Sequence, residues 1–319
     1  NNMPEFGAYL LEKSGKGCSI ELEETTVKIG GNMPITSNAL GYLGVKVNCV
    51  GAFGYPDIKD VFEGMSPNCN IISIEEPGIC LAMEFDDSKI MFALNKGTNS
   101  VTWDAISERV GIDKLGQLFN QSDIVGLFNW GELPGMTGIF KGLAREIGSN
   151  LQAKKDKTIL FDLSDCSRRT KEEILEAIEV LPLFNAKYKV VLSLNDNEAR
   201  NVYKALGGKS ADEDLRGIGS FLYSSLNVDK LVLHPIGMSY AWDGIGSYMI
   251  NNYHIASPKI TTGGGDNFNA GLCFAELLGL DMEESLVTAS AAASFYVDNG
   301  QSATVTELLE FLYRWLGEM

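Results

Sequence analysis

From about residue 120 onward, nearly continuous apolar runs alternate with stretches whose apolar residues recur every three or four positions. The runs Asp123–Phe128, Thr158–Leu163, Lys189–Leu194 and Lys230–His234 predict strands buried on both faces. The periodic stretches Lys171–Val180, Glu198–Leu206, Leu215–Leu226, Phe268–Leu278, Glu283–Val297 and Thr306–Leu316 predict helices. Each strand–helix pair takes roughly 30 to 40 residues, the length of a βαβ crossover, so the sheet is expected to be parallel in an α/β fold.

The first hundred residues are patterned differently. Cys18–Ile29 (CSIELEETTVKI) and Ile79–Leu94 (ICLAMEFDDSKIMFAL) alternate apolar with polar positions, the second interrupted at Asp86-Asp87 as in a hairpin, and together they predict a small exposed sheet. Between them Gly41–Gly54 reads as a helix end followed by a buried strand, which interleaves the small sheet with the main fold. No Pro-, Gly- or Ser-rich linker, repeat or low-complexity tract divides the chain, so residues 1–319 are expected to form one domain with insertions near 18–29 and 79–94.

Charge narrows the function. A formal charge of −16 repels nucleic acid and anionic membranes, but leaves room for a phosphate ligand held by local backbone N–H groups. The six cysteines have no CxxC spacing and read as reduced thiols; two histidines give thin support to a His metal site or a histidine relay. No apolar run is long enough for a membrane span and no signal peptide opens the chain, which points to a cytoplasmic protein.

The most informative stretch is KITTGGGDNFNAGLCFAELLG, Lys259–Gly279. Gly263, Gly264 and Gly265 can turn their N–H groups onto one anion at the positive end of the following helix. Asp266 then stands where phosphate would sit, a placement suited to taking a proton from an attacking hydroxyl; the ordinary alternative is a helix cap. At LNDNEA, Asn195 and Glu198 close a strand and open a helix, and are suited either to a hydrated Mg²⁺ or to a capping box. Gly30, Gly31 and Asn32 form a turn whose asparagine is either substrate-facing or part of a loop, and Gly54 with Asp57 presents the same ambiguity. Arg168 and Arg169 follow a strand and are candidates for a charged substrate or for solvent. No GxGxxG follows a strand, which counts against a nicotinamide enzyme.

The combination of GGN at Gly30–Asn32, NxxE at Asn195–Glu198 and GGGDNFNAG at Gly263–Gly271 resembles the ribokinase-like (PfkB) carbohydrate kinases, and the likeness runs over essentially the whole chain. That resemblance implies a doubly wound α/β domain with a mainly parallel sheet and a β-sheet lid, ATP and Mg²⁺ as cofactors, and phosphorylation of a sugar or sugar-like alcohol. It casts Asp266 as the base, Gly263–Gly265 as the anion hole, and Asn195 and Glu198 as the metal and phosphate motif. Thr261, Asn299 and Gly300 fall on the nucleotide side; Gly31, Asn32, Asp162 and Arg168 fall on the substrate side. Lids of the family often pair between subunits, implying a homodimer.

Three departures stand out. Ile260 replaces the family's aspartate, so a monovalent-cation site of the family's kind loses a carboxylate. Gly264 replaces the usual alanine, which preserves the backbone donors. Family members begin with a buried strand ending in a substrate-binding aspartate, whereas this chain opens with NNMPEFGAYL; either that strand lies outside the given chain or the substrate site is built differently. A nucleoside kinase of the same family and a non-catalytic sugar or nucleotide sensor stand as rivals. Ribose, fructose, a keto-deoxy sugar acid and a nucleoside all stay open as ligands.

Overall fold

The computed structural model describes residues 2–148, 157–209 and 214–318. The helices are α1 (Met3–Glu12), α2 (Asn32–Tyr42), α3 (Asp60–Glu63), α4 (Trp103–Arg109), α5 (Ile112–Gln121), α6 (Met136–Gly142), α7 (Lys171–Val180), α8 (Asp196–Ala205), α9 (Leu215–Ser225), α10 (Gly264–Leu278), α11 (Met282–Asn299) and α12 (Val305–Glu318). The strands are β1 (Val47–Gly51), β2 (Cys69–Ser73), β3 (Ile79–Glu84), β4 (Lys89–Leu94), β5 (Ile124–Leu127), β6 (Thr158–Asp162), β7 (Lys189–Leu194), β8 (Lys230–Leu233), β9 (Met238–Trp242) and β10 (Ser247–Asn251).

The main sheet runs β10-β9-β8-β7-β6-β5, with β5 to β8 parallel and β9 and β10 antiparallel. Strand parity sorts its side chains between two cores. Ile159, Phe161, Val190, Leu192, Leu231 and Leu233 pack with residues of α4 to α9 on one face. Leu160, Val191 and Val232 pack with Phe268, Leu272 and Leu286 of α10 and α11 on the other. Burial on both faces explains why these strands read as unbroken apolar runs. The helices α10 and α11 cross closely: a Cβ on Gly271 would lie 2.7 Å from the Ala289 Cα, so only glycine fits there.

Two smaller pieces complete the molecule. β1 and β2 form a parallel pair, and β3 and β4 an antiparallel hairpin that turns at Phe85–Ser88, around the expected Asp86-Asp87. The expected strand over Cys18–Ile29 does not form: those residues are largely exposed, with no regular structure. Their alternation supplies a two-faced ribbon but no partner edge to accept its hydrogen bonds. A groove of about 2040 Å³ opens beneath the hairpin, passes the residue 30–32 turn, and continues between β1 and β5, where Val47, Val50, Ile124 and Val125 line it. No helix among the described residues is long and apolar enough to cross a membrane.

Candidate active site

The glycine turn opens α10 as its sequence requires. Gly263 is in the left-handed region at φ 96°, and a Cβ there would meet the Tyr296 hydroxyl at 2.8 Å. The first N–H groups of a helix have no partner within it, so those of the Gly264–Asp266 turn are free to meet an anion. The Tyr296 hydroxyl donates to Thr262 O, while Lys259 N donates to Val297 O, which lays Thr261 and its neighbours along the end of α11. Asn299 and Gly300 cap that same end; Gly300 has φ 75° and lies beside Lys259. The turn, Thr261 and the Asn299-Gly300 corner are therefore neighbours.

Helix α10 packs on α2, and this contact joins two motifs far apart in sequence. The Asn32 side chain hydrogen-bonds the Asp266 carboxyl, and Thr36 Oγ1 donates to Asp266 O at 3.2 Å. The Asp266 carboxyl is buried, and its Oδ1 is sealed with no partner. Burial, then the charge of Asp162, hold its pKa well above the ordinary carboxylate range against the opposing bond from Asn32.

Asn195 and Glu198 form the capping box in full. Glu198 N donates to Asn195 Oδ1 at 3.0 Å, Asn195 N to Glu198 Oε2 at 3.0 Å, and Asn195 Nδ2 to Glu198 Oε1 at 2.6 Å. Yet Glu198 is buried at 2% exposure, which a surface cap does not require. Burial raises its pKa well above the usual range, reinforced by Asp162, Asp165 and Asp266.

Asp162, expected on the substrate side, is buried and is not among the residues that line the groove. It shares the parity of Leu160 and so points toward α10, where Asn269 Nδ2 donates to its Oδ2; Ser164 N donates to Oδ1 at 2.7 Å. Ser193 Oγ extends the chain by donating to Asn269 Oδ1 at 2.6 Å. Both carboxylate oxygens are thus engaged, and burial raises the Asp162 pKa to about 6. Among the described residues, no Lys or Arg acts on Asp162, Glu198 or Asp266 strongly enough to offset this gathering of negative charge.

Arg168 stays on the groove rim, exposed and 4.0 Å from Glu132. Arg169 is turned inward: it donates to Trp130 O and Leu133 O, each at 2.7 Å, and stacks on Trp130, fixing the loop after β5.

Three site neighbours escape a reading of the sequence. Lys89 of the hairpin donates from Nζ to Thr262 Oγ1 at 2.8 Å, tying the hairpin to the glycine turn. The hairpin's alternation flags a solvent face and a core face, not this reach. His234 stacks on Phe268 with ring centroids 4.8 Å apart and packs against Gly265; burial lowers its pKa to about 4, leaving it neutral near pH 7. Asn269 was visible only as one helical turn beyond Asp266.

Over residues 4–315 the sequence matches the family of prokaryotic ketohexokinases. The chain belongs to that family. This ketohexokinase-family chain is accordingly an ATP-dependent carbohydrate kinase of ribokinase-like fold. It is 29% identical over 290 residues to the ketohexokinase of Haloferax volcanii, covering 91% of this chain and 76% of that protein. Its fold is similar to ribokinase of Arabidopsis thaliana, solved with ribose and ATP, at TM-score 0.70 and 18% identity over 92% of this chain and 90% of the other. It is also similar to a nucleoside kinase of Burkholderia thailandensis, solved with inosine, at TM-score 0.62 and 17% identity over 94% and 92%. At such identities the two likenesses concern the fold.

Proposed function

We propose that this kinase transfers the terminal phosphoryl group of ATP to a hydroxyl of a ketohexose, with Asp266 receiving the hydroxyl proton. The observation that carries the reading is the Asp266 carboxyl, buried in the first turn of α10 and held by Asn32. A carboxylate deprived of water is a stronger base once ionised, and it lies at the helix end whose free N–H groups suit a phosphoryl group. Those amides, on Gly264, Gly265 and Asp266, stabilise charge moving onto phosphate oxygens. Gly31 and Asn32 face the accepting sugar, Arg168 stands at its entrance, and Thr261, Asn299 and Gly300 border the nucleotide.

Glu198, unbalanced by a cation among the described residues, fits a hydrated Mg²⁺ better than a bare one, because Asn195 already occupies both its oxygens. Asn195 and Glu198 would hold that ion through water, and it would neutralise charge on the nucleotide phosphates. The hairpin supports a homodimer: Ile79, Leu81, Phe92 and Leu94 share one face by register and are exposed.

The test is phosphorylation of ketohexoses, aldoses and nucleosides by the chain and its Asp266→Asn variant. Ketohexose turnover reduced at least about a hundredfold in the variant, with ATP still bound, is expected. Turnover of nucleosides in place of ketohexoses would replace the substrate, and near-normal turnover in the variant would remove Asp266 as the base. ATP bound without turnover of any acceptor would favour the sensor.

A further inference from the structure

Two residues other than glycine have positive φ among the described residues: Asn129 at 68° and Ser164 at 59°. They follow β5 and β6, neighbouring parallel strands, at the carboxyl edge where open α/β sheets bind ligands. They are also bonded to one another. Asn129 N donates to Ser164 Oγ at 3.2 Å, and Ser164 Oγ donates to Asp162 Oδ1 at 3.3 Å, so Asn129 is anchored to the buried polar chain below the groove. Asn129 O accepts from Glu132 N and Leu133 N, closing the turn that Arg169 clamps from the other side.

The side chain is held with its two amide atoms in different settings. Oδ1 is sealed from solvent with no hydrogen-bond partner. Nδ2 is not sealed, makes no hydrogen bond among the described residues, and lies 3.8 Å from where a Cβ on Gly31 would stand. Asn129, Gly31 and Asn32 all line the groove, and Asn32 in turn bonds Asp266. A left-handed backbone and a sealed, unpaired acceptor both oppose stability. Glycine at this position would remove both penalties, so the asparagine is retained against the interest of the fold, as strained residues at functional sites are.

We propose that Asn129 orients the acceptor sugar, its Nδ2 donating to a hydroxyl oxygen other than the one phosphorylated. Asn129 and Asn32 then hold the sugar at two points, which turns the accepting hydroxyl toward Asp266. The inference rests on the kinase reading above and narrows the acceptor to a polyol with an oxygen on the β5 side of the groove.

The experiment compares the full chain with Asn129→Gly and Asn129→Asp, reading melting temperature, KM for ketohexose, KM for ATP and kcat. In Asn129→Gly the melting temperature should rise by about 2 °C or more while the sugar KM rises about five- to tenfold, the scale of one lost hydrogen bond. The KM for ATP should stay within about twofold. Asn129→Asp keeps the shape but loses the donor, and should raise the sugar KM at least as much. Among singly deoxygenated sugars, one should lose that factor with the wild type and nothing further with Asn129→Gly. An unchanged sugar KM in Asn129→Gly would overturn the proposal and leave Asn129 as a turn residue. So would a fall in melting temperature with both KM values rising together. If the wild type turns over no ketohexose, the substrate reading fails by itself; calorimetric binding of the same sugars to wild type and Asn129→Gly then decides Asn129, equal affinities overturning it.

Discussion

Asp162 offers a way to probe the carboxylate cluster from beneath, without altering the groove. Its pKa of about 6 rather than 3.8 arises because burial outweighs the bonds from Ser164 and Asn269. Ionising a carboxyl displaced by about two pH units costs on the order of 3 kcal/mol. The folded chain holds this proton more tightly than the unfolded chain, so the stability it contributes is full below 3.8 and is lost as pH rises through about 6. Asp162→Asn cannot ionise. Asn269 can turn over to match it, its Oδ1 accepting from the new amide and its Nδ2 donating to Ser193 Oγ. The unfolding free energy of the variant minus that of the wild type should therefore grow by on the order of 3 kcal/mol from about pH 4 to about pH 8. Urea unfolding of the ligand-free chain at stepped pH measures this: His234 and groups remote from Asp162 largely cancel in the difference, while relief of Glu198 and Asp266 adds to it in the same sense. A difference curve flat to within about 1 kcal/mol would refute the claim that Asp162 ionises against its surroundings. A second readout follows from charge. Asp162 is the largest contributor after burial to the raised pKa of both Asp266 and Glu198, so the acid limb of kcat should move to lower pH in the variant. An unmoved limb would separate Asp162 from the group whose ionisation governs turnover.

Two further perturbations test the frame around the site. Gly271→Ala places a Cβ 2.7 Å from the Ala289 Cα and 3.0 Å from Thr288 O, so α10 and α11 must part; a loss of about 1–3 kcal/mol, read by denaturant unfolding, is expected, and an unchanged midpoint would contradict the close crossing. Phe92→Glu puts a charge opposite Leu81 on the apolar face of the hairpin and should convert a dimer to monomers in sedimentation at micromolar concentration; a dimer that survives would place the interface elsewhere, and a monomeric wild type would remove the dimer.

The strands β6 to β8 could be read from sequence to within a residue or two because burial on both faces makes them nearly continuous apolar runs, and β5 because its own run is apolar although one side of it lines the groove. Helix α10 could be read for a different reason: three glycines followed by a long apolar run mark a helix entrance. Cys18–Ile29 was misread because alternation says which side chains share a face and nothing about whether a neighbouring edge exists. The pairing of Asn32 with Asp266 depends on α2 packing against α10, a tertiary contact with no local signature. Asp162 can be read from sequence as a strand end, whereas its burial cannot. Which way it points is fixed by parity with Leu160, and what it meets there is decided by Asn269 on a distant helix. The left-handed backbone at Asn129 had no signal beyond the tolerance of asparagine for that conformation.

The hairpin of β3 and β4 has a property that its thinness imposes. Two strands enclose no interior, so the ribbon has no rigidity of its own and takes its position from what touches its sides. Register puts Ile79, Leu81, Phe92 and Leu94 on one side and Lys89, with its bond to Thr262, on the other. Any body that settles on the apolar side also fixes where the ammonium group stands beside the glycine turn. Association and turnover would then share a single mechanical element one residue thick, and a change at either surface would be registered at the other.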